Sequence, residues 1–143
     1  MDIWRRGGVA ASFDCMSSAL LLAEPEVTTR DFLERHLKQD GFEVVEAENG
    51  RVALDVLESG MVPDIALVDW NMPVMDGLEL VHEVRANDAW RTVSLMMVTT
   101  ESEQSQIVRA LAAGAHEYLI KPFTPDSIAD KLELLGMVPG GQL

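Results

Sequence analysis

Cysteine is nearly absent. The single Cys15 cannot close an internal disulfide, which points to a reducing compartment rather than a stapled secreted scaffold. One cysteine and three scattered histidines, His36, His82 and His116, leave no Cys/His metal cluster. Basic residues are scarce as well: 11 Lys and Arg stand against 24 Asp and Glu, a formal net charge of −13. Nucleic-acid binding rests on basic side chains neutralising phosphates, so no nucleic-acid partner is expected. A membrane-spanning helix takes about 20 apolar residues in a row. The longest run here is residues 19–23, so no membrane partner is expected either. No glycine-rich phosphate loop is present, which argues against nucleotide hydrolysis.

What remains is ordinary globular composition. The 143 residues are 48% hydrophobic and 24% charged, which suits one domain with a sizeable core. Arg5-Arg6 hints at a twin-arginine signal, but the stretch after it is weakly apolar and broken by Asp14. Residues 1–17 are therefore expected to be a flexible leader, 18–137 the domain, and 138–143 a flexible tail.

Short apolar runs alternate with helical patterns along the chain. Residues 19–23, 44–45, 65–68, 95–98 and 118–120 are the apolar runs. Helical periodicity follows each of them. It covers 27–40 with Phe32, Leu33, His36 and Leu37 on one face, then 51–58, 78–86 and 103–113. The last helix has Ile128, Leu132 and Leu135 as its apolar stripe. Thr124 caps it and Pro125 takes its first position. His36 is expected in the core, and His82 and His116 on the surface.

Continuous apolar strands mean burial on both sheet faces, hence a parallel sheet covered by helices. Right-handed crossovers make this a five-stranded doubly wound α/β fold in three α/β/α layers. Ligands in such sheets bind beyond the carboxyl ends of the strands. Those ends present Glu24-Pro25-Glu26, Asp69, Thr99-Thr100 and Lys121. Clustered carboxylates repel unless a cation sits among them, and Mg2+ suits a small set of carboxylate and carbonyl oxygens. A lone Lys and a hydroxyl beside them can hold phosphoryl oxygens. The set reads as Mg2+-assisted phosphoryl chemistry on a carboxylate nucleophile.

Three segments carry a resemblance. Residues 67–77 (LVDWNMPVMDG), 97–101 (MVTTE) and 118–123 (YLIKPF) resemble, in order and spacing, the signatures of two-component response regulator receiver domains of the chemotaxis (CheY-like) type, which share the flavodoxin-like fold. The resemblance runs from about residue 18 to 137. It implies that Asp69 is the phosphoacceptor and that Lys121 binds the phosphoryl group. It implies that Thr99 and Tyr118 form the switch, with Thr99 moving inward and Tyr118 following. Mg2+ would be held by Glu24, Asp69 and the Asn71 backbone carbonyl, with Glu26 as a further candidate. Lys121-Pro122 would be a cis peptide. Asn71 and Glu101 would tune water access to the phosphoryl group.

The implied function is that of a cytoplasmic single-domain response regulator. It takes a phosphoryl group from a histidine kinase and switches the face made by the fourth helix, fifth strand and last helix. It then signals by protein binding, for example to a flagellar motor switch component. It is not an enzyme beyond its own phosphorylation and dephosphorylation, and it is a monomer or weak homodimer.

The chain departs from the family at one place: Pro25 stands where a second acid follows the first strand. The alternative reading is accordingly a degenerate receiver, an interaction module that works without phosphorylation. An aspartyl-nucleophile phosphatase is a third class. It needs an acid/base two residues after the nucleophile, and Asn71 stands there.

Overall fold

The computed structural model describes residues 18–100 and 104–136. The expected leader with Cys15, the Glu101 and Ser102 positions and the tail lie outside the described residues. Among the described residues the order is β1 (Ala19–Ala23), α1 (Val27–Gln39), β2 (Glu43–Ala47), α2 (Gly50–Glu58), β3 (Ile65–Asp69), α3 (Gly77–Arg85), a 3-10 turn (Asp88–Trp90), β4 (Ser94–Thr99), α4 (Gln104–Ala113), β5 (Glu117–Ile120) and α5 (Pro125–Leu134). The strands form one sheet in the order β2-β1-β3-β4-β5, and each pairing is parallel. The 3-10 turn and the full length of β2 go beyond the sequence reading.

Period-two alternation sorts the strand residues onto two faces. Leu21, Ala23, Ala66, Val68, Leu95 and Met97 pack with Leu54 and Leu57 of α2, Leu80 and Val84 of α3 and Ala110 of α4. Leu20, Leu22, Ile65, Leu67, Met96 and Val98 pack with Leu33 and Leu37 of α1 and Ile128 and Leu132 of α5. The sheet is therefore covered on both sides. The strand order reverses between β1 and β3, and this switch point is where the carboxyl ends splay to leave a crevice. His36, expected in the core, is only half-buried; its ring packs at a tilt against Phe32, with centroids 4.4 Å apart and planes at 59°.

The opposite end of the sheet is tied by Arg85, in the last turn of α3. Its guanidinium donates to the carbonyls of Gly114 at 2.9 Å and Val93 at 2.8 Å, and it lies 3.3 Å from His116 Nδ1. The same Nδ1 accepts the Leu95 N–H at 3.2 Å, so the ring is neutral at that nitrogen. Burial, then the Arg85 charge, lower the His116 pKa from its ordinary value of 6.5. The folded state thus binds this proton less readily than the unfolded chain. The stabilising contribution is present above about pH 6.5 and is lost as pH falls through the lowered value. Replacing His116 by Asn removes this titration. Urea titrations are expected to show the variant gaining on the wild type as pH falls below 6.5. A constant difference across that range would contradict the assignment.

Candidate functional site

Three charged side chains meet where β1, β3 and β5 end. Glu24 follows β1, Asp69 closes β3 and Lys121 follows β5. Lys121 Nζ lies 2.9 Å from Asp69 Oδ2 and 3.1 Å from Glu24 Oε1. Glu24 is 1% exposed and Asp69 5%. Burial, then the Asp69 charge, push the Glu24 carboxyl up to about 6, against hydrogen bonds from the Glu26 N–H and Lys121. Burial pulls the Lys121 ammonium down, but bonding to Asp69 and Glu24 outweighs it and leaves the pKa above its ordinary value. Two buried carboxylates thus share one ammonium, leaving a deficit of positive charge.

The backbone frames this group. Thr99 ends β4 and is 3% exposed, and its carbonyl accepts the Lys121 N–H at 2.8 Å. The Lys121-Pro122 bond is cis. The Asn71 N–H donates to Asp69 Oδ1 at 3.2 Å. The loop from Trp70 to Asp76 is closed by the Gly77 N–H on the Trp70 carbonyl at 2.9 Å and pinned to α2 by the Gly50 N–H on the Met75 carbonyl at 3.1 Å. Asp76 is the N-cap of α3 and forms a capping box with Glu79. The signal was there as Asp-x-x-Glu ahead of an apolar stripe.

One residue in the loop is strained. Val74 sits at φ 71° and is 77% exposed, a region that β-branched side chains avoid. Replacing it by Asn, which tolerates this region, should raise stability by about 1 kcal/mol. Chemical denaturation checks this, and no gain would show that the loop relaxes the strain.

Glu26 takes a different position from the one expected of a further metal ligand. Its carboxylate caps α1, accepting the Thr29 N–H at 2.7 Å, the Thr29 hydroxyl at 2.6 Å and the Thr28 N–H at 3.3 Å. The Thr29 bonds lead in holding its pKa below the ordinary carboxylate value. Glu is not a preferred cap residue, so the sequence carried little sign of this. Arg30 bonds the Glu24 carbonyl at 2.8 Å, fixing the turn through Pro25.

Tyr118 is half-buried on the edge strand β5. Lys131 Nζ lies 4.3 Å from its ring centroid and also pairs with Glu117 at 2.9 Å. On the neighbouring face Arg109 of α4 lies over the Trp70 ring, 5.7 Å from its centroid. A second carboxylate cluster, Asp31, Glu34 and Glu46, shares no residue with the strand-end group. Among the described residues no helix is long and apolar enough to cross a membrane.

Comparison with known proteins agrees with this geometry. Residues 20–133 match the family model described as the response regulator receiver domain. Over 117 residues the chain is 38% identical to the chemotaxis protein CheY1 of Helicobacter pylori, covering 81% of this chain and 94% of that protein. The structure of the chemotaxis response regulator CheY4 of Vibrio cholerae aligns with a TM-score of 0.76 at 31% identity, covering 84% of this chain and 97% of that one. The receiver domain of a sensor histidine kinase from Pseudomonas aeruginosa, solved with a magnesium ion in its active site cleft, aligns with a TM-score of 0.72 at 28% identity, covering 78% and 91%. With the buried acid–lysine group at the switch point and the family model spanning most of the chain, this protein belongs to the response regulator receiver domain family and is CheY-like.

Proposed function

We propose that the protein is a phosphorylation-dependent signalling switch with Asp69 as phosphoacceptor. The observation that carries this is the Glu24–Asp69–Lys121 group, two buried carboxylates around one ammonium. A histidine kinase is the proposed donor. An Asp69 carboxylate oxygen attacks phosphorus, and the bond from phosphorus to the donor breaks with its electron pair leaving on the donor. Lys121, already 2.9 Å from Asp69, stays by the new phosphoryl oxygens, and the Thr99 hydroxyl at the end of β4 is the second donor to them.

The residues fit Mg2+. Glu24 and Asp69 supply hard oxygen donors, and the raised Glu24 pKa marks a place where added positive charge is favoured. Glu24, Asp69 and the Asn71 carbonyl would hold the ion. When bound it would screen the charge that gathers on the transferring oxygens. With Pro25 in place of a second acid and Glu26 committed to its cap, this donor set is short by one carboxylate. Metal affinity should then be modest rather than absent.

The added charge at Asp69 is proposed to bias two arrangements of α4, β5 and α5 through Thr99 and Tyr118. Output is then by binding a downstream protein, of which a flagellar motor switch component is one candidate. The test is intact mass after incubation with acetyl phosphate and Mg2+. One phosphoryl group should be gained by the wild type and none by Asp69→Asn. Pro25 favours a second reading, an interaction module indifferent to phosphorylation. Failure of a folded wild type to label would support that one.

A further inference from the structure

The Tyr118 ring is held from two sides of the β5–α5 junction. Glu117, its neighbour on the strand, pairs with Lys131 of α5 at 2.9 Å. Lys131 Nζ in turn lies 4.3 Å from the Tyr118 ring centroid. The Glu117 Oε1 that takes Lys131 also accepts the Tyr118 N–H at 3.0 Å. The Lys131 and Glu117 side chains are 26% and 18% exposed, so water screens this pair less than it screens a surface ion pair. The contacts close on themselves: strand acid to helix ammonium, ammonium to aromatic face, and the same acid to the backbone that bears the ring. An ammonium over an aromatic face is attracted by the ring quadrupole. Here Glu117 ties that ammonium to the strand, so it is not free to follow the ring elsewhere.

We infer that Glu117 and Lys131 are positioning residues for Tyr118: they hold its ring in the observed arrangement, and charge added at Asp69 has to work against them. This rests on the switch proposed above. The consequence is thermodynamic. A contact made in only one of two arrangements favours that arrangement and opposes whatever binds the other. Where the binding-competent arrangement is the minor one, apparent affinity scales with its population. Loosening the Glu117–Lys131 contacts should therefore raise the population of the second arrangement. It should tighten binding of a phosphoryl-like group at Asp69 by the same factor.

Tyr118 is the one tyrosine of the chain, so meta-fluorotyrosine gives a single fluorine NMR signal that reports its ring. The probe at Asp69 is beryllium fluoride, a non-covalent stand-in for a phosphoryl group, used on the full chain at fixed Mg2+. The wild-type signal should move as the probe binds. Lys131→Met and Glu117→Gln should each place the probe-free signal part-way along that same path. Each should also bind the probe about fivefold more tightly, since contacts of these kinds are worth a few-fold apiece. Lys131→Arg keeps both the charge over the ring and the pair with Glu117, and should match the wild type. Thermal melts show that every variant is folded. A merely structural role would lower the melting temperature and leave probe affinity unchanged. Folded Lys131→Met and Glu117→Gln variants with wild-type affinity overturn the inference and leave the switch standing. A wild-type signal that stays put while the probe binds removes the Tyr118 switch, and this inference with it. A folded wild type that does not bind the probe removes the phosphoacceptor reading and both that depend on it.

Discussion

Lys121→Met is expected to lower stability by about 3–5 kcal/mol at neutral pH, the usual cost of leaving buried charge without its partner. The Lys121 ammonium bonds both Glu24 and Asp69, and Met keeps much of the stem while removing the charge. Two carboxylates then face each other, one of them 1% exposed. The loss has a pH signature. The Glu24 pKa is already about 6 against an ordinary 4.5, so the folded state holds this proton more tightly than the unfolded chain. Ionised Glu24 therefore subtracts stability above pH 6, and the subtraction is relieved as pH falls from 6 through 4.5. Losing Lys121 removes two of the influences that hold Glu24 down, so the relief should be larger in the variant. The deficit should shrink on acidification. Urea denaturation at pH 7.5 and pH 5 reads both, and a deficit under about 1 kcal/mol at pH 7.5 would mean that water already screens the pair.

Gly77→Ala is expected to cost about 3 kcal/mol and to slow labelling of Asp69, because it strikes the backbone of Asp69, the proposed phosphoacceptor. A Cβ at this position would lie 2.4 Å from the Asp69 carbonyl oxygen and 2.9 Å from the Trp70 Cα. Both are backbone atoms, and neither can rotate away. The obstacle is therefore space rather than conformation, since Gly77 is the first residue of α3 and any residue can adopt a helical backbone. Either α3 or the end of β3 must move, and overpacking of this kind costs about 1–3 kcal/mol or more. Thermal melts and labelling rates measured together check this. Wild-type values for both would show that the loop gives way freely.

Much of this arrangement was legible from residue order. Apolar runs ending in Asp69, Thr99 and Lys121 located the site, because a parallel sheet must gather its strand ends at one edge. Thr124 and Pro125 marked the start of α5, where Thr124 and Ser127 form a capping box. Local signals carry such features, and they are readable from a few neighbouring residues.

Other features depend on contacts distant in sequence. Arg85 meets Gly114 and His116 across 29 and 31 positions, and nothing near Arg85 announces it. Glu26 could be weighed from sequence only as an acid near Pro25. Its cap on α1 emerges from the turn geometry. The Arg109–Trp70 contact depends likewise on how α4 lies against the loop after β3. Pro25 was the one visible departure, and β1 and α1 still form on either side of it.

The most direct test of the switch is the initial rate of Asp69 labelling by acetyl phosphate as a function of Mg2+ concentration, followed by intact mass. With Glu24, Asp69 and the Asn71 carbonyl holding the ion, the rate should rise with Mg2+ and saturate. Pro25→Asp should move the half-saturating concentration down by about tenfold, as expected for one restored carboxylate ligand. A wild type that stays folded and unlabelled at every Mg2+ concentration would contradict the account and leave a binding module in its place.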